Sequence, residues 1–314
     1  METQSLPKIL HYDLIEELGR SRHGVTWRAY DTGLQRVVVL KLFGRPEEEA
    51  HAFAWRYLPM LESARQLSHP NLGTIFDARE YRRAILIVSE YQEGLNLEQY
   101  VRKQAVSLHR FLELAVQLAR GLNHIHRHQL THGNLKPSNV IIGPDGILRI
   151  LDCGLPLLVP ERSESIDDVP TAELAYVPPE CLDGQRPGQL GDFYSAGVLF
   201  YETLTGLRLY DAPDREGLLE LIRREQPDYD VLRAQGFPGD IVLLVEQLLA
   251  GAKSGRCSNF DELLVTLKSI DEFEREQVDI PQPLHKSHSS RSYLILSGIA
   301  VVLFIIWITL TTIR

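Results

Sequence analysis

The hydrophobic pattern of this chain changes twice. Near the start, Val37-Val38-Val39-Leu40-Lys41-Leu42-Phe43 is a run rich in β-branched residues, and Ala84-Ile85-Leu86-Ile87-Val88 is another; both predict strands. Between them, residues 46–67 carry Glu and Ala early and predict a helix. After Gly94 the period lengthens. Phe111, Leu112, Ala115, Leu118, Ala119 and Leu122 recur at helical spacing within Leu108–His126, and residues 186–275 read as mostly helical. Strands followed by helices predict an α+β fold in two lobes. The first, about residues 11–90, is β-rich, with about five antiparallel strands and one helix; the second, about 94–275, is helical. Residues 1–10 read as an N-terminal extension, and no internal repeat or low-complexity tract interrupts the chain.

The second change comes at the C-terminus. Tyr293 to Ile313 contains no charged residue. A helix of about 20 residues crosses a bilayer core, whereas a soluble helix of that length keeps a polar face. Residues 293–313 therefore predict one transmembrane helix, with 276–292 as a juxtamembrane tether that includes the flexible-looking stretch from Pro281 to Arg291. Lys286 and Arg291 precede the span, and only Arg314 follows it. The first ten residues hold no apolar run of the signal-peptide kind. The expectation is a tail-anchored, single-pass membrane protein whose folded part lies in the cytoplasm. Ser297, Gly298 and Ala300 put small residues on the span, either as a face for self-association or as lipid-facing filler.

Composition narrows the function classes. The chain has 314 residues, 44% of them hydrophobic, enough for a large core. Its net charge is -9 and no basic stripe is sustained, which argues against nucleic acid as a partner. Cys153, Cys181 and Cys257 lie far apart without metal-ligand spacing, so no disulfide framework is expected and a reducing compartment fits. Small buried filler suits all three.

The chemistry concentrates in Thr131-His132-Gly133-Asn134-Leu135-Lys136-Pro137-Ser138-Asn139 and in Ile150-Leu151-Asp152-Cys153-Gly154. The first resembles the protein-kinase catalytic loop H-R-D-L-K-P-x-N, and the second resembles the metal-binding D-F-G. Two positions depart from the family: Gly133 stands for the Arg that grips a phosphorylated activation loop, and Asn134 for the Asp base. Asn is nearly isosteric with Asp but has no proton affinity near neutral pH. Loss of a general base costs on the order of 10²–10⁴ in rate. The resemblance implies that Lys136 meets the γ-phosphate and that Asn139 and Asp152 ligate Mg²⁺.

Other stretches fall in kinase order. Gly19, Ser21 and Gly24 resemble the Gly-rich loop G-x-G-x-x-G with Ser21 at its middle glycine, although an ordinary β-hairpin would explain this segment alone. Lys41 after Val38-Val39-Leu40 resembles V-A-I-K, which implies a contact with the α- and β-phosphates; Val39 in place of Ala narrows the adenine slot. The family pairs that Lys with a helical Glu. Counting forward from Lys41 and back from His69 both reach Met60, so the Glu is missing. Glu62 lies about 200° around the helix from it and faces elsewhere unless the register shifts. Ile87 to Gly94 resembles the hinge, which implies that backbone groups of Glu90 and Gln92 hold the adenine edge. Ala175 to Glu180 resembles Y-x-A-P-E, with Ala172-Glu173 where the family has Gly-Thr. The family Thr contacts the catalytic Asp and shapes the peptide platform. Glu180 is expected to pair with Arg256, and Asp192 to brace the catalytic loop, with His132 kept as scaffold.

The resemblance covers the chain from Leu18 to Arg256 and implies a bilobal protein-kinase-like fold plus the C-terminal span. Residues that hold the fold are kept, and several that run the chemistry are changed. The leading expectation is a membrane-tethered pseudokinase, a signalling or scaffolding module working through protein partners, with ATP and Mg²⁺ binding implied by the residues kept. Lys41 is then free to pair with Asp152. The alternative is an active Ser/Thr protein kinase in which Asn134 positions the substrate; it would label its own Ser163, Ser165 or Thr171. A third reading is an adaptor that binds no nucleotide.

Overall fold

In a computed structural model of the protein, which describes residues 7–21, 24–44, 50–82, 84–153, 166, 169–185, 188–251 and 255–279, the early apolar runs pair into one antiparallel sheet. Its strands are β1 (Lys8–Ile9), β2 (Tyr12–Ser21), β3 (Gly24–Asp31), β4 (Arg36–Gly44), β5 (Ile75–Tyr81) and β6 (Ala84–Glu90), in the order β1-β2-β3-β4-β6-β5. The sheet thus has six strands rather than about five. The extra one, Lys8–Ile9, is too short to show an alternation in the sequence, and it lies in the segment read as an extension. Strand β6 is buried on both faces, which is why it reads as a continuous apolar run, while β4 buries Val38 and Leu40 on one face and half-buries the other. Leu86 and Val88 pack with Tyr12, Leu14, Ala29, Val38 and Leu40 on one side. Ile85 and Ile87 pack with Leu61, Ala64 and Ile75 on the other, under helix α1 (Ala50–Arg65). Pro59 lies inside α1, where it removes one backbone hydrogen bond.

The second lobe is built on α2 (Leu97–Lys103), α3 (Leu108–Arg127), α4 (Thr171–Leu174), α5 (Gln189–Thr205), α6 (Arg215–Arg224), α7 (Asp230–Ala234), α8 (Gly239–Leu249) and α9 (Phe260–Asp279). Ser107 caps α3, its hydroxyl accepting from the Arg110 N–H, and the predicted stripe Phe111, Leu112, Ala115, Leu118, Ala119 and Leu122 is its buried face. Helix α5 is buried nearly all round, at the centre of the lobe. A small sheet, β7 (Leu95–Asn96), β8 (Val140–Ile142) and β9 (Leu148–Ile150), was not legible in the sequence because its strands are only 2 or 3 residues long. It carries the catalytic-loop segment and Asp152 at its ends.

The chain divides into a unit of residues 1–271, which holds both lobes, and a second unit of 272–314. Of the second, only the end of α9 is described. That helix runs to Asp279, into the segment read as a tether, because Glu, Arg and Gln continue a helix without strain. The rest of the tether and the predicted span 293–313 lie outside the described residues. Among the described residues, no helix is long and apolar enough to cross a membrane.

Candidate active site

The catalytic-loop segment hangs from one buried carboxylate. Asp192, in the first turn of α5, is 1% exposed. Its Oδ2 accepts the backbone N–H of His132 at 2.9 Å, and its Oδ1 accepts that of Gly133 at 2.8 Å. His126 Nε2, at the end of α3, lies 2.7 Å from the same Oδ2. A buried carboxylate needs such partners, and here they tie α3, α5 and the loop together. His126 was not singled out in the sequence. It lies four residues beyond Leu122, on the apolar face of α3, so its need for a buried partner was a signal available there.

The loop then closes on itself. His132 Nε2 lies 2.8 Å from the Leu151 carbonyl, and its Nδ1 accepts the Asn134 N–H at 3.3 Å. The Nε2–H tautomer satisfies both contacts. Asn139 Nδ2 donates to the Asn134 carbonyl at 2.9 Å, and the Leu151 N–H donates to the Asn139 carbonyl at 2.8 Å. These bonds fix the loop against the backbone that leads into Asp152. Gly133 sits at φ 67°, a left-handed conformation that glycine adopts at no steric cost.

Across the cleft, Lys41 on β4 is ion-paired with Asp152, both side chains being mostly buried. Met60 is half-buried against the cluster of Leu61, Ala64 and Ile85 under the sheet. Glu62 points elsewhere: it lies 3.2 Å from Arg65 and accepts from Gln66 at 3.3 Å. The carboxylate that meets Lys41 is therefore Asp152. Asp152 itself adopts φ 63°, uncommon for a non-glycine residue and characteristic of functional sites. The Asn139 amide oxygen and the Asp152 carboxylate form an all-oxygen donor pair, which fits a hard divalent cation such as Mg²⁺.

The glycine positions divide by geometry. A Cβ on Gly24 would lie 2.4 Å from the Leu42 carbonyl, so its absence is required by the β3–β4 pairing, whereas nothing lies within 4 Å of a Cβ built on Gly19. Ser21 pairs with Gly24 across the hairpin, and Arg22 and His23 at its tip lie outside the described residues. At the hinge, the Glu90 N–H donates to the Thr74 carbonyl at 2.9 Å, which leaves only its carbonyl for a base. Gln92 follows in the loop after β6 and is half-buried.

Below the cleft, Gly133, Asn134, Lys136, Glu173 and Tyr176 line a small crevice. Lys136 Nζ is 2.7 Å from Glu173 Oε1. Arg256, its side chain fully buried, makes two bonds to Glu180, at 2.7 and 3.1 Å, and donates to the Ala250 carbonyl at 2.7 Å. The cysteines offer no nucleophile. Cys153 is 3% exposed, and burial pushes its thiol pKa up; burial raises that of Cys181 to about 12.

A strand-rich lobe and a helical lobe, joined across a cleft by a Lys–Asp pair over a loop hung from a buried Asp, define the bilobal kinase architecture. The protein kinase domain family model matches residues 12–266, and this chain belongs to that family. Among curated proteins it is similar to a probable serine/threonine-protein kinase of Clostridium acetobutylicum, 27% identical over 64% of this chain and 31% of the relative. The serine/threonine-protein kinase PrkC of Bacillus subtilis is 26% identical over 69% of this chain and 34% of its own length. Serine/threonine-protein kinase A of a Synechocystis strain is 29% identical over 84% of this chain and 53% of its own length. The chain thus spans about a third of the first two relatives and about half of the third.

Proposed function

We propose that this chain is a serine/threonine protein kinase with a non-standard catalytic loop, using ATP with Mg²⁺ in the cleft between its lobes. The observation that carries the reading is the Lys41–Asp152 pair at one end of the cleft, with the Asn139 carbonyl bonded to the N–H of Leu151 next to Asp152 and Lys136 on the same loop as Asn139. That the similar proteins are named as serine/threonine-protein kinases favours phosphotransfer over a scaffold without chemistry. Mg²⁺ would be held by Asn139 and Asp152, and when bound it neutralises phosphate charge. Lys41 would hold the α- and β-phosphates once Asp152 turns to the cation, and Lys136 would meet the γ-phosphate. Asn134 can orient a hydroxyl but takes no proton. Phosphoryl transfer depends more on positioning than on proton removal, so transfer that is slow for the family follows.

Asn134 and Met60 favour a second reading, a pseudokinase whose nucleotide acts only on conformation. The third, an adaptor without nucleotide, requires the Lys41–Asp152 pair never to open. In all three we place the chain at a membrane, anchored by 293–313 with the kinase domain on the cytoplasmic side and protein partners reached from there. The uncharged apolar run supports that placement.

The test is thermal unfolding of the full-length chain with and without ATP and Mg²⁺, followed by transfer of labelled γ-phosphate to the chain and to a degenerate Ser/Thr peptide pool. At about 100-fold over the dissociation constant the nucleotide stabilises by roughly 2.7 kcal/mol. A metal-dependent shift that disappears in Asp152→Ala, with labelled Thr171 or peptide, supports the kinase reading. A shift without transfer leaves the pseudokinase, and no shift at millimolar ATP leaves the adaptor.

A further inference from the structure

We propose that Glu173 supplies the carboxylate that the catalytic loop lacks, receiving the acceptor hydroxyl beside Asn134; this rests on the phosphotransfer reading above. Asn134 can orient a hydroxyl, but it offers neither the proton affinity nor the negative charge that would draw one in and speed its attack. The structure puts a group with both in the same crevice. Glu173 lines it together with Gly133, Asn134 and Lys136, and its carboxylate is 2.7 Å from the Lys136 ammonium, two residues along the loop from Asn134.

The position of Glu173 is set by its surroundings. Its N–H donates to the Pro170 carbonyl at 2.8 Å, and its own carbonyl accepts from Tyr176 at 3.1 Å. Leu174, the next residue, is fully buried. Upstream, Arg215 on α6 donates to the Val169 carbonyl at 2.7 Å and so pins the segment that leads into α4. The Glu173 side chain is still 33% exposed, open to a substrate arriving from solvent. Its second oxygen has no partner assigned among the described residues and is available to a hydroxyl while the first stays on Lys136.

The step balances without further reagents. The acceptor Ser or Thr oxygen attacks the γ-phosphorus. The bond from that phosphorus to the β,γ-bridging oxygen breaks, and its electron pair leaves with the nucleoside diphosphate. The hydroxyl proton passes to Glu173 and from there to water. Lys136, held on the other carboxylate oxygen, stands where it can meet the transferred group. The substitution of Glu for a platform Thr thus restores to the crevice the charge removed by Asn134.

The experiment uses full-length protein, γ-labelled ATP with Mg²⁺ and the degenerate Ser/Thr peptide pool. Glu173→Gln is expected to lower kcat on the order of 10²-fold, with the KM for ATP and the nucleotide-induced thermal shift unchanged. Asn134→Asp added to Glu173→Gln should recover most of the rate. If Glu173→Gln transfers as fast as the wild type or faster, Glu173 is a spectator or a latch on Lys136; the inference fails and the kinase reading stands. A wild type that shows the thermal shift but transfers nothing overturns the kinase reading, and the inference with it. Should Glu173→Gln not fold, Glu173→Asp decides: a reduced kcat at unchanged KM for ATP supports the inference, and a wild-type kcat overturns it.

Discussion

The ammonium of Lys41 rests on the carboxylate of Asp152, bridging the two lobes at the end of the cleft where the catalytic loop lies. A mostly buried ammonium needs an anion. On α1, the position where kinase spacing expects an acid is Met60, packed among apolar residues, and Glu62 is spent on Arg65. Asp152 is therefore already engaged, and on the proposed reading a Mg²⁺ bound there would have to displace a lysine.

That competition makes Met60→Glu a gain-of-affinity variant. A carboxylate on α1 would take Lys41 and release Asp152 for the cation. Mg²⁺–ATP binding, followed by calorimetric titration of the full-length chain, should tighten about tenfold, or ~1.4 kcal/mol. Affinity equal to the wild type would mean that Asp152 is not what limits binding.

Arg256 and Glu180 form an enclosed ion pair in the second lobe, the guanidinium side chain having no exposed surface. Breaking such a pair from one side leaves a buried charge unpaired and costs about 3–5 kcal/mol. Arg256→Met should leave Glu180 stranded and lower the urea midpoint accordingly. Glu180→Gln, which keeps a hydrogen-bond acceptor, should cost less. Equal and small effects of the two would show that water reaches the pair.

The two glycines of the β2–β3 hairpin should separate cleanly under mutation. Gly24→Ala drives a Cβ into the Leu42 carbonyl, a backbone atom that can move only with its strand. Strain of this kind costs roughly 1–3 kcal/mol. Gly19→Ala meets nothing and should change stability by less than about 0.5 kcal/mol. Chemical denaturation of the two variants checks the contrast, and similar losses at both would refute it.

The rings of His69, His124 and His128 lie side by side in tilted pairs, with centroids 5.1 and 4.5 Å apart. Burial first, and then the neighbouring charges of His124 and Arg120, lower the pKa of His69. Burial, then His128 and Arg127, lower that of His124. His69 Nδ1 also accepts the Asn71 N–H at 3.1 Å, a bond that protonation there would break. Above about pH 6.5 both residues are neutral, folded or unfolded. As pH falls below that value the unfolded chain takes up protons first, so stability drops until the lower folded-state pKa values are passed. The urea midpoint should fall between pH 7 and pH 5.5, and the double variant His69→Gln/His124→Gln should flatten that slope. An unchanged slope would rule out these two histidines as its source.

Much of the fold was legible in the sequence because burial leaves a periodic trace. Strands β4 and β6 and the stripe of α3 are written in residue order, and the two lobes follow from where the period changes. The strands β1 and β7–β9 were not, since 2 or 3 residues carry no period and their pairing is set by the segments that flank them. At the site, Asn134, Lys136, Asn139, Asp152 and the lack of a carboxylate at Met60 could all be read from residue types at kinase spacing.

What the sequence determined by itself is which groups exist and in what order along the chain: an amide in place of a base, a methionine in place of an acid, a lysine on a central strand. Kinase spacing offered Lys41 and Asp152 as a pair once Met60 left no acid, but the tertiary structure decided which groups meet. Lys41 and Asp152 lie 111 positions apart in the numbering, and Lys136 and Glu173 lie 37 apart. Such pairs have no local signature, because packing of the lobes and of α4 against the loop brings them together. The same holds for His126, which looks like one more residue of a helical stripe until α5 presents Asp192 to it at 2.7 Å.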